Sequence, residues 1–193
     1  MESRKEQKEK RRQEILLAGL DLFVAKGYAA TKITDIAKRA NMSTGLLFHY
    51  FESKEKLYEE LVTRGLRGTA YASATKYDHA IQYFEVFTEQ LFTYMRQQPG
   101  MTKLFVLMTQ TQRLDSTPPH IREIAMLVDT IEKFVPIVEW GQQEGSIRQG
   151  NPRALCNAFW WSLQGVAEQY AMHPEMDLPD PQWLVDIVRE RAK

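Results

Sequence analysis

Residues 31–54 read TKITDIAKRANMSTGLLFHYFESK, and this run contains two short helical patterns separated by about three residues. The first pattern covers 33–40 and the second covers 44–51, with a turn at 41–43 between them. Ser43 is the expected N-cap of the second helix, since its hydroxyl can accept from a free backbone N–H group. Two short helices at this spacing are typical of a helix-turn-helix, whose second helix enters the major groove of DNA.

The outer surface of the second helix supports this interpretation. Leu47 and Phe51 are the expected inward anchors at i, i+4 spacing, so apolar and aromatic side chains remain on the other faces. Such a surface is unusual for a helix that faces water, and contact with DNA explains it. The expected contacts are a thymine methyl for Leu46, a base edge or phosphate for Thr44, a phosphate for Tyr50 and close backbone approach at Gly45.

Two lysines beside the motif suggest phosphate contacts. Lys32 and Lys54 fall at the N-terminal ends of the second and fourth predicted helices, where the helix dipole opposes a cation. A phosphate at the same place would be bound by free N–H groups and by the lysine together. Thr31 and Ser53 are the expected N-caps of these helices. The residues predicted to contact DNA are Thr31, Lys32, Ser43, Thr44, Gly45, Leu46, Phe48, His49, Tyr50 and Lys54.

The remaining sequence predicts an all-α fold of about nine helices. Helical periodicity is present throughout the 193 residues, while strand alternation and hairpin turns are nearly absent. Pro136 is expected to kink or split the helix that contains it. The predicted segments are 8–26 (ended by Gly27), 33–40, 44–51, 54–75, 78–98, 101–114, 118–144, 152–172 and 181–192.

Charge is unevenly distributed along a chain whose 25 basic and 25 acidic residues cancel. Residues 1–70 contain 14 Lys and Arg against 10 Asp and Glu, a net charge of +4, and residues 71–193 carry −4. A basic N-terminal part on an acidic remainder is consistent with a DNA-binding domain attached to a domain with another task.

Several classes of protein are disfavoured. No uncharged apolar run reaches the length of a membrane helix, and the N-terminus lacks the apolar core of a signal peptide, so a cytoplasmic location is expected. One cysteine, Cys156, excludes an internal disulfide and is expected to be a buried apolar residue. The four histidines are scattered, and a third metal ligand is missing beside His120 and Glu123. We predict no catalytic site, metal or cofactor.

Residues 12–64 resemble the N-terminal domain of the TetR family of bacterial transcriptional regulators. The resemblance is carried by the following motifs: Ile15-Leu16, Leu22-Phe23, Gly27-Tyr28, Thr31, Asp35-Ile36-Ala37, Met42-Ser43, Gly45, Leu47 to Phe51, Ser53-Lys54-Glu55 and Leu57-Tyr58. It implies a homodimer that reads a pseudo-palindromic operator, a C-terminal helical domain that binds a small molecule, and repression lifted by that ligand. Phe48 departs from the tyrosine usual in the family and lacks its phosphate-binding hydroxyl. Gly19, often alanine, is expected to permit close helix packing.

We therefore predict a DNA-binding domain at 1–58 and a ligand-binding and dimerisation domain at 59–193. Aromatic and methionine side chains concentrate beyond residue 80, which suits either ordinary core or a pocket for a hydrophobic or amphipathic ligand. The pocket residues proposed for testing are Phe84, Phe87, Phe105, Met108 and Trp140. The predicted dimer interface comprises Leu155, Phe159, Leu163, Val166, Trp183, Leu184 and Ile187, which could instead complete the core of one chain.

The sequence is also compatible with two alternatives. One keeps the DNA-binding domain but gives the C-terminal domain a protein partner instead of a small molecule. The other is an all-helical enzyme, although no arrangement of nucleophile and base is evident. Salt-dependent binding to a palindrome would exclude the enzyme alone, and a ligand that weakens DNA binding would exclude the protein-docking domain.

Overall fold

The computed structural model describes residues 3–68, 77–127 and 130–190, and these residues confirm the all-α fold. They contain no β-sheet, only an isolated bridge between Ile147 and Arg189. Their ten helices are α1 (Arg4–Ala30), α2 (Ile33–Arg39), α3 (Thr44–Phe48), α4 (Lys54–Gly68), α5 (Ala80–Gln97), α6 (Pro99–Arg113), α7 (Pro119–Met126), α8 (Thr130–Glu144), α9 (Pro152–Met172) and α10 (Pro181–Val185).

The first compact unit combines Met1–Gly68 with Lys103–Leu127. Its core consists of fully buried apolar side chains: Ile15, Leu16, Leu20, Phe23, Ile36, Leu47, Leu57, Leu61 and Leu107. Gly19 allows α1 and α4 to approach closely, because a Cβ atom there would lie 2.6 Å from Leu57 Cδ2. The expectation of close packing at Gly19 is confirmed.

The second compact unit combines Thr69–Thr102 with Val128–Lys193 and is built from α5, α8, α9 and α10. Its core is rich in aromatic rings, with the Phe84 ring 4.9 Å from that of Phe159 and 5.5 Å from that of Phe134. Cys156 is fully buried, as predicted, and burial raises the pKa of its thiol to about 11. A thiol with this pKa stays protonated and unreactive near neutral pH.

Several helix boundaries differ from the sequence predictions, and α3 ends at Phe48 instead of residue 51. The predicted helix over 118–144 is two helices, but the division falls after Met126, and α8 continues through Pro136. The predicted helix over 181–192 ends at Val185, because the N–H of Arg148 donates to Val188 O and that of Glu190 donates to Ser146 O. The first helix continues to Ala30, although Gly27 interrupts it with a φ of 77°. The last residues of the predicted 54–75 segment, from 69, lie outside the described residues.

Candidate nucleic-acid interface

The turn between α2 and α3 has the geometry that its sequence predicts. Asn41 adopts a left-handed φ of 53°, and the N–H of Met42 donates to Ala37 O over 3.0 Å. The Ser43 hydroxyl accepts from Leu46 N at 3.2 Å, which confirms the predicted N-cap of α3. The direction of α3 is therefore set by local hydrogen bonds.

Buried apolar side chains hold α3 on the rest of the unit. Leu47 is fully buried and Phe51 is 4% exposed, as their i, i+4 spacing predicts. Ile36 and Ala37 of α2 are also buried. The Arg12 guanidinium lies 4.8 Å from the centre of the Phe51 ring, so this anchor also makes a cation–π contact.

The outer face of α3, which we define as Gly45, Leu46, Phe48 and His49, is exposed to solvent. Leu46 is 42% exposed and Phe48 is 47% exposed. A Cβ atom on Gly45 would meet nothing within 4 Å, so the space in front of this residue is open. A five-residue helix that displays two large apolar side chains and an open glycine presents a surface suited to a partner.

The other predicted DNA contacts vary in accessibility. Ser43 and Lys32 are exposed, while Thr44 and Tyr50 are partly exposed. Thr31 is only 1% exposed, and its hydroxyl donates to Gly27 O at 2.8 Å. Its expected role as N-cap of α2 is wrong, because Lys32 takes that position without a side-chain cap.

Lys54 already has partners within the chain. Its ammonium donates to Tyr28 O at 2.8 Å and to Thr31 O at 3.0 Å, and it lies 4.1 Å from the centre of the Tyr28 ring. Burial lowers the pKa of Lys54. The neighbouring Ser53 hydroxyl accepts from Lys56 N at 3.1 Å, as predicted for a cap of α4.

Charged groups distant in sequence fix the helices beneath the outer face. Asp21 of α1 accepts from Arg39 of α2 at 2.5 Å and from Lys103 of α6 at 2.6 Å. Burial raises the pKa of the Asp21 carboxyl, but the hydrogen bonds from Lys103 and Arg39 outweigh it and leave that pKa below its ordinary value. Asp21 therefore ties three helices together as a carboxylate.

A second ionic contact joins α1 to α4. Both terminal nitrogens of Arg12 donate to the Glu60 carboxylate, which also accepts from Arg64 Nη2 at 2.8 Å. Burial raises the pKa of Glu60, but the hydrogen bonds and positive charges of Arg12 and Arg64 outweigh this effect, so the pKa lies below its ordinary value. Sequence reasoning missed the roles of Asp21, Arg12 and Glu60, because no local spacing signals a contact between residues 48 or 82 positions apart.

The predicted pocket residues divide between the two units. Phe84 is fully buried, and Trp140 is 37% exposed. Phe87 is partly buried, and the centre of its ring lies 5.5 Å from that of Phe134. Phe105 and Met108 are partly buried residues of α6 in the first unit. The Met108 thioether fits against Gly65, where a Cβ atom would lie 2.6 Å from its sulfur. A shared ligand pocket for these residues stays a prediction.

The predicted dimer residues also differ in exposure. Phe159 and Leu163 are fully buried within their own unit and Leu184 is 8% exposed, whereas Trp183 is 68% exposed. Leu155, Val166 and Ile187 are partly exposed. A different stripe of α9 faces solvent, with the 3.5-residue spacing of helix–helix contacts. We call it the exposed stripe of α9, and it consists of Ala154, Ala158, Trp161, Gly165 and Met172.

Metal and membrane sites find no support among the described residues. His120 Nε2 lies 3.4 Å from Glu55 Oε1, but no group of three potential ligands is arranged to hold a metal ion in this part of the chain. None of the described helices combines the length and apolar character needed to cross a membrane. The exposed surface of α3 remains the candidate binding surface of the first unit.

Comparison with known proteins identifies the same region. Residues 15–61 match the family described as bacterial regulatory proteins, tetR family. A stretch of 52 residues of the chain is 40% identical to the HTH-type transcriptional repressor KstR2 of Mycolicibacterium smegmatis, covering 27% of this chain and 25% of that protein. A stretch of 57 residues is 37% identical to the transcriptional activator FasR of the same organism, covering 30% and 26%. The chain thus aligns with only about a quarter of these relatives' length.

Solved structures extend the likeness of fold to nearly the whole chain. The MbdR regulator of Azoarcus sp. CIB superposes with a TM-score of 0.75 at 22% identity, covering 92% of this chain and 96% of that one. AibR, solved with isovaleryl coenzyme A and operator DNA, superposes with a TM-score of 0.66 at 14% identity, covering 91% and 94%.

The match over 15–61 contains the turn at Asn41, the Ser43 cap, the buried anchors of α3 and its outer face. The resemblance inferred from the sequence is therefore confirmed. Residues 15–61 thus match the tetR family of bacterial regulatory proteins, and the solved structures show that the fold of the chain is similar to that of such regulators.

Proposed function

We propose that this chain is a sequence-specific, DNA-binding transcriptional regulator, and not an enzyme, acting in the cytoplasm as a homodimer on a pseudo-palindromic operator. The observation that carries the proposal is the exposed apolar outer face of α3, which lies within the residues that match the tetR-family model. Two such helices related by a two-fold axis would enter successive major grooves about 34–36 Å apart. The proposed boundary between the DNA-binding and ligand-binding parts, at residues 58 and 59, lies within α4, all of which belongs to the first compact unit.

Exposed cations near α3 support DNA as the partner. Lys32 and Lys38 of the α2 region are exposed, and Tyr50 remains accessible to a phosphate. Ser43 and Thr44 can add hydrogen bonds to the backbone of the duplex. Because Lys54 is held by two carbonyl groups, any phosphate contact it makes would use only its remaining N–H group.

The exposed stripe of α9 supports a second copy of the chain as the other partner. Small side chains at Ala154, Ala158 and Gly165 permit close approach of a helix, while Trp161 and Met172 are more than half exposed. A Cβ atom on Gly165 would meet nothing within 4 Å, so this surface is open in the single chain. Together with exposed Trp183, the stripe suits an antiparallel four-helix interface across a two-fold axis.

Regulation by a small ligand is the further part of the proposal. The aromatic core of the second unit suits a hydrophobic or amphipathic molecule. Ligand binding would alter the packing against α4, which contacts α1 and α7, and would so change the spacing of the two α3 helices. In this role the protein is a repressor, although its relatives include both a repressor and an activator.

Selection of genomic fragments by the purified protein tests this function. We expect one or a few palindromic fragments to bind about 10³-fold or more tighter than random DNA, with affinity that falls steeply as salt increases. Short-chain acyl-CoA thioesters are the first ligands to test, since AibR was solved with one. A thioester that stabilises the protein and releases the fragment would exclude a protein-docking domain. Uniformly weak binding to every fragment would contradict the proposal.

A further inference from the structure

The outer face of α3 lacks every side chain that reads a base through paired hydrogen bonds. The sequence from Ser43 to Phe51 is STGLLFHYF, without arginine, lysine, asparagine, glutamine or an acid. Guanine is read best by arginine or lysine, adenine by asparagine or glutamine, and cytosine by an acid. The side chains of α3 therefore cannot recognise guanine, adenine or cytosine in these ways.

Two apolar side chains dominate what remains. In an ideal helix, Gly45 and His49 point directly away from the buried pair Leu47 and Phe51, and Leu46 and Phe48 flank them on either side. Leu46 and Phe48 are 42% and 47% exposed, and the space at Gly45 between them is open. The glycine therefore lets both apolar side chains approach the floor of a groove.

One group in the major groove matches this surface. The C5 methyl of thymine is the apolar group that bases present in the major groove, and apolar side chains recognise this methyl by direct contact. We infer that α3 reads its operator through thymine methyl groups, contacted by Leu46 and Phe48, so that A·T pairs stand opposite these residues in each half-site. This inference rests on the proposed function and specifies what the same surface recognises.

Polar residues next to α3 have a different role. Thr34, Lys38 and Asn41 line a shallow depression with Thr44 beside the first turn of α3. They belong to α2 and the turn, and they position the motif on phosphates and sugars. His49 adds at most single hydrogen bonds, since its imidazole is not a paired donor and acceptor for one base.

The test uses a duplex that the protein selects from genomic fragments, trimmed to its protected region. In one version deoxyuridine replaces thymidine in both half-sites, which removes the methyl groups and keeps base pairing. In another, 7-deazapurines replace the purines, which removes the N7 acceptors. We expect deoxyuridine to weaken binding about fourfold for each contacted methyl, and 7-deazapurines to weaken it less.

Variants assign the effect to α3. Leu46→Ala should weaken binding to the thymidine duplex and reduce the difference between the two duplexes. Leu114→Ala is the matched control, because Leu114 is also 42% exposed and lies after α6 in the same unit. This control should retain the full difference.

Equal affinity of the native chain for both duplexes overturns the inference, while steep salt dependence on the thymidine duplex would still uphold the proposed function. A larger loss with 7-deazapurines than with deoxyuridine also overturns it. Failure to bind any duplex refutes the proposed function and this inference together.

Discussion

The outer face of α3 and the exposed stripe of α9 both display large apolar side chains, yet their neighbours differ. Leu46 and Phe48 are 42% and 47% exposed, and Trp161 and Met172 are 52% and 53% exposed. The α3 surface belongs to a five-residue helix near exposed lysines, whereas α9 has 21 residues with small side chains between the large ones. Exposure alone does not distinguish the two surfaces, and from the surrounding residues we propose DNA as the partner of α3 and a second copy of the chain as the partner of α9.

The largest expected effect comes from placing a negative charge on the α3 surface. Leu46→Glu should abolish operator binding, on the order of 10³-fold, because like charges brought together at an interface cost several kcal/mol. Its self-association, measured by light scattering, should be unchanged. If Leu46→Glu binds operator as the native chain does, α3 does not face DNA.

A substitution that blocks the exposed stripe of α9 should first weaken self-association, and should weaken operator binding only as a consequence. Gly165→Arg places a long cation where a Cβ atom meets nothing, so the single chain should fold while the dimer is lost. Operator affinity should fall about 100-fold, since two linked half-sites no longer bind together. Gly165→Ala is the control, and it should remain dimeric and gain about 0.5–1 kcal/mol in free energy of unfolding. A dimeric Gly165→Arg protein would contradict the assignment of this stripe.

A smaller gain is expected from Phe48→Tyr. The ring is 47% exposed, so the added hydroxyl can extend beyond the proposed thymine contact to a phosphate without disturbing the core. One new hydrogen bond corresponds to about 0.5–1.5 kcal/mol, or a few-fold increase in operator affinity. Fluorescence anisotropy with one labelled duplex measures the change, and the dimer should be unaffected. No gain would show that residue 48 does not approach the phosphates.

The smallest effect concerns the support beneath α3. Asp21→Asn should lower the free energy of unfolding by about 1 kcal/mol at pH 7, because the ion pairs with Arg39 and Lys103 are partly exposed. The folded-state pKa of Asp21 is lowered, so this stability is present above the ordinary value of 3.8 and is lost as pH falls through the lower folded value.

Urea unfolding at pH 7 and near pH 3 measures this dependence. The difference between Asp21→Asn and the native chain should shrink at the lower pH. Asp115→Asn is the control, because the Asp115 side chain is fully exposed and its removal should change little. A difference that stays constant with pH would contradict the role of the Asp21 carboxylate.

Local rules explain what the sequence predicted well. Ser43 caps α3, and Leu47 and Phe51 face inward, because hydrogen bonds and spacing within a few residues decide these features. Thr31 was misassigned because its hydroxyl bonds back to the end of α1, an alternative that the sequence pattern does not distinguish. The shortened α10 depends on a backbone pairing between residues some 40 positions apart, which periodicity does not detect.

The candidate sites also differ in whether local sequence or distant contacts determine them. The exposure of Leu46 and Phe48 was predictable, since a short helix with two inward anchors leaves them outside. On α9, the apolar stripe with Phe159 and Leu163 was predicted to face a partner, but the second unit buries both side chains. A helix with apolar residues on two faces does not reveal from sequence which face its own chain will cover.

Native mass spectrometry of the protein with its selected operator tests most directly that α3 and α9 serve different partners. We expect two native chains per duplex, a dimer without DNA for Leu46→Glu, and a monomer with little bound duplex for Gly165→Arg. A single chain that remains bound to the operator with full affinity, or a Gly165→Arg dimer that binds normally, would contradict this expectation.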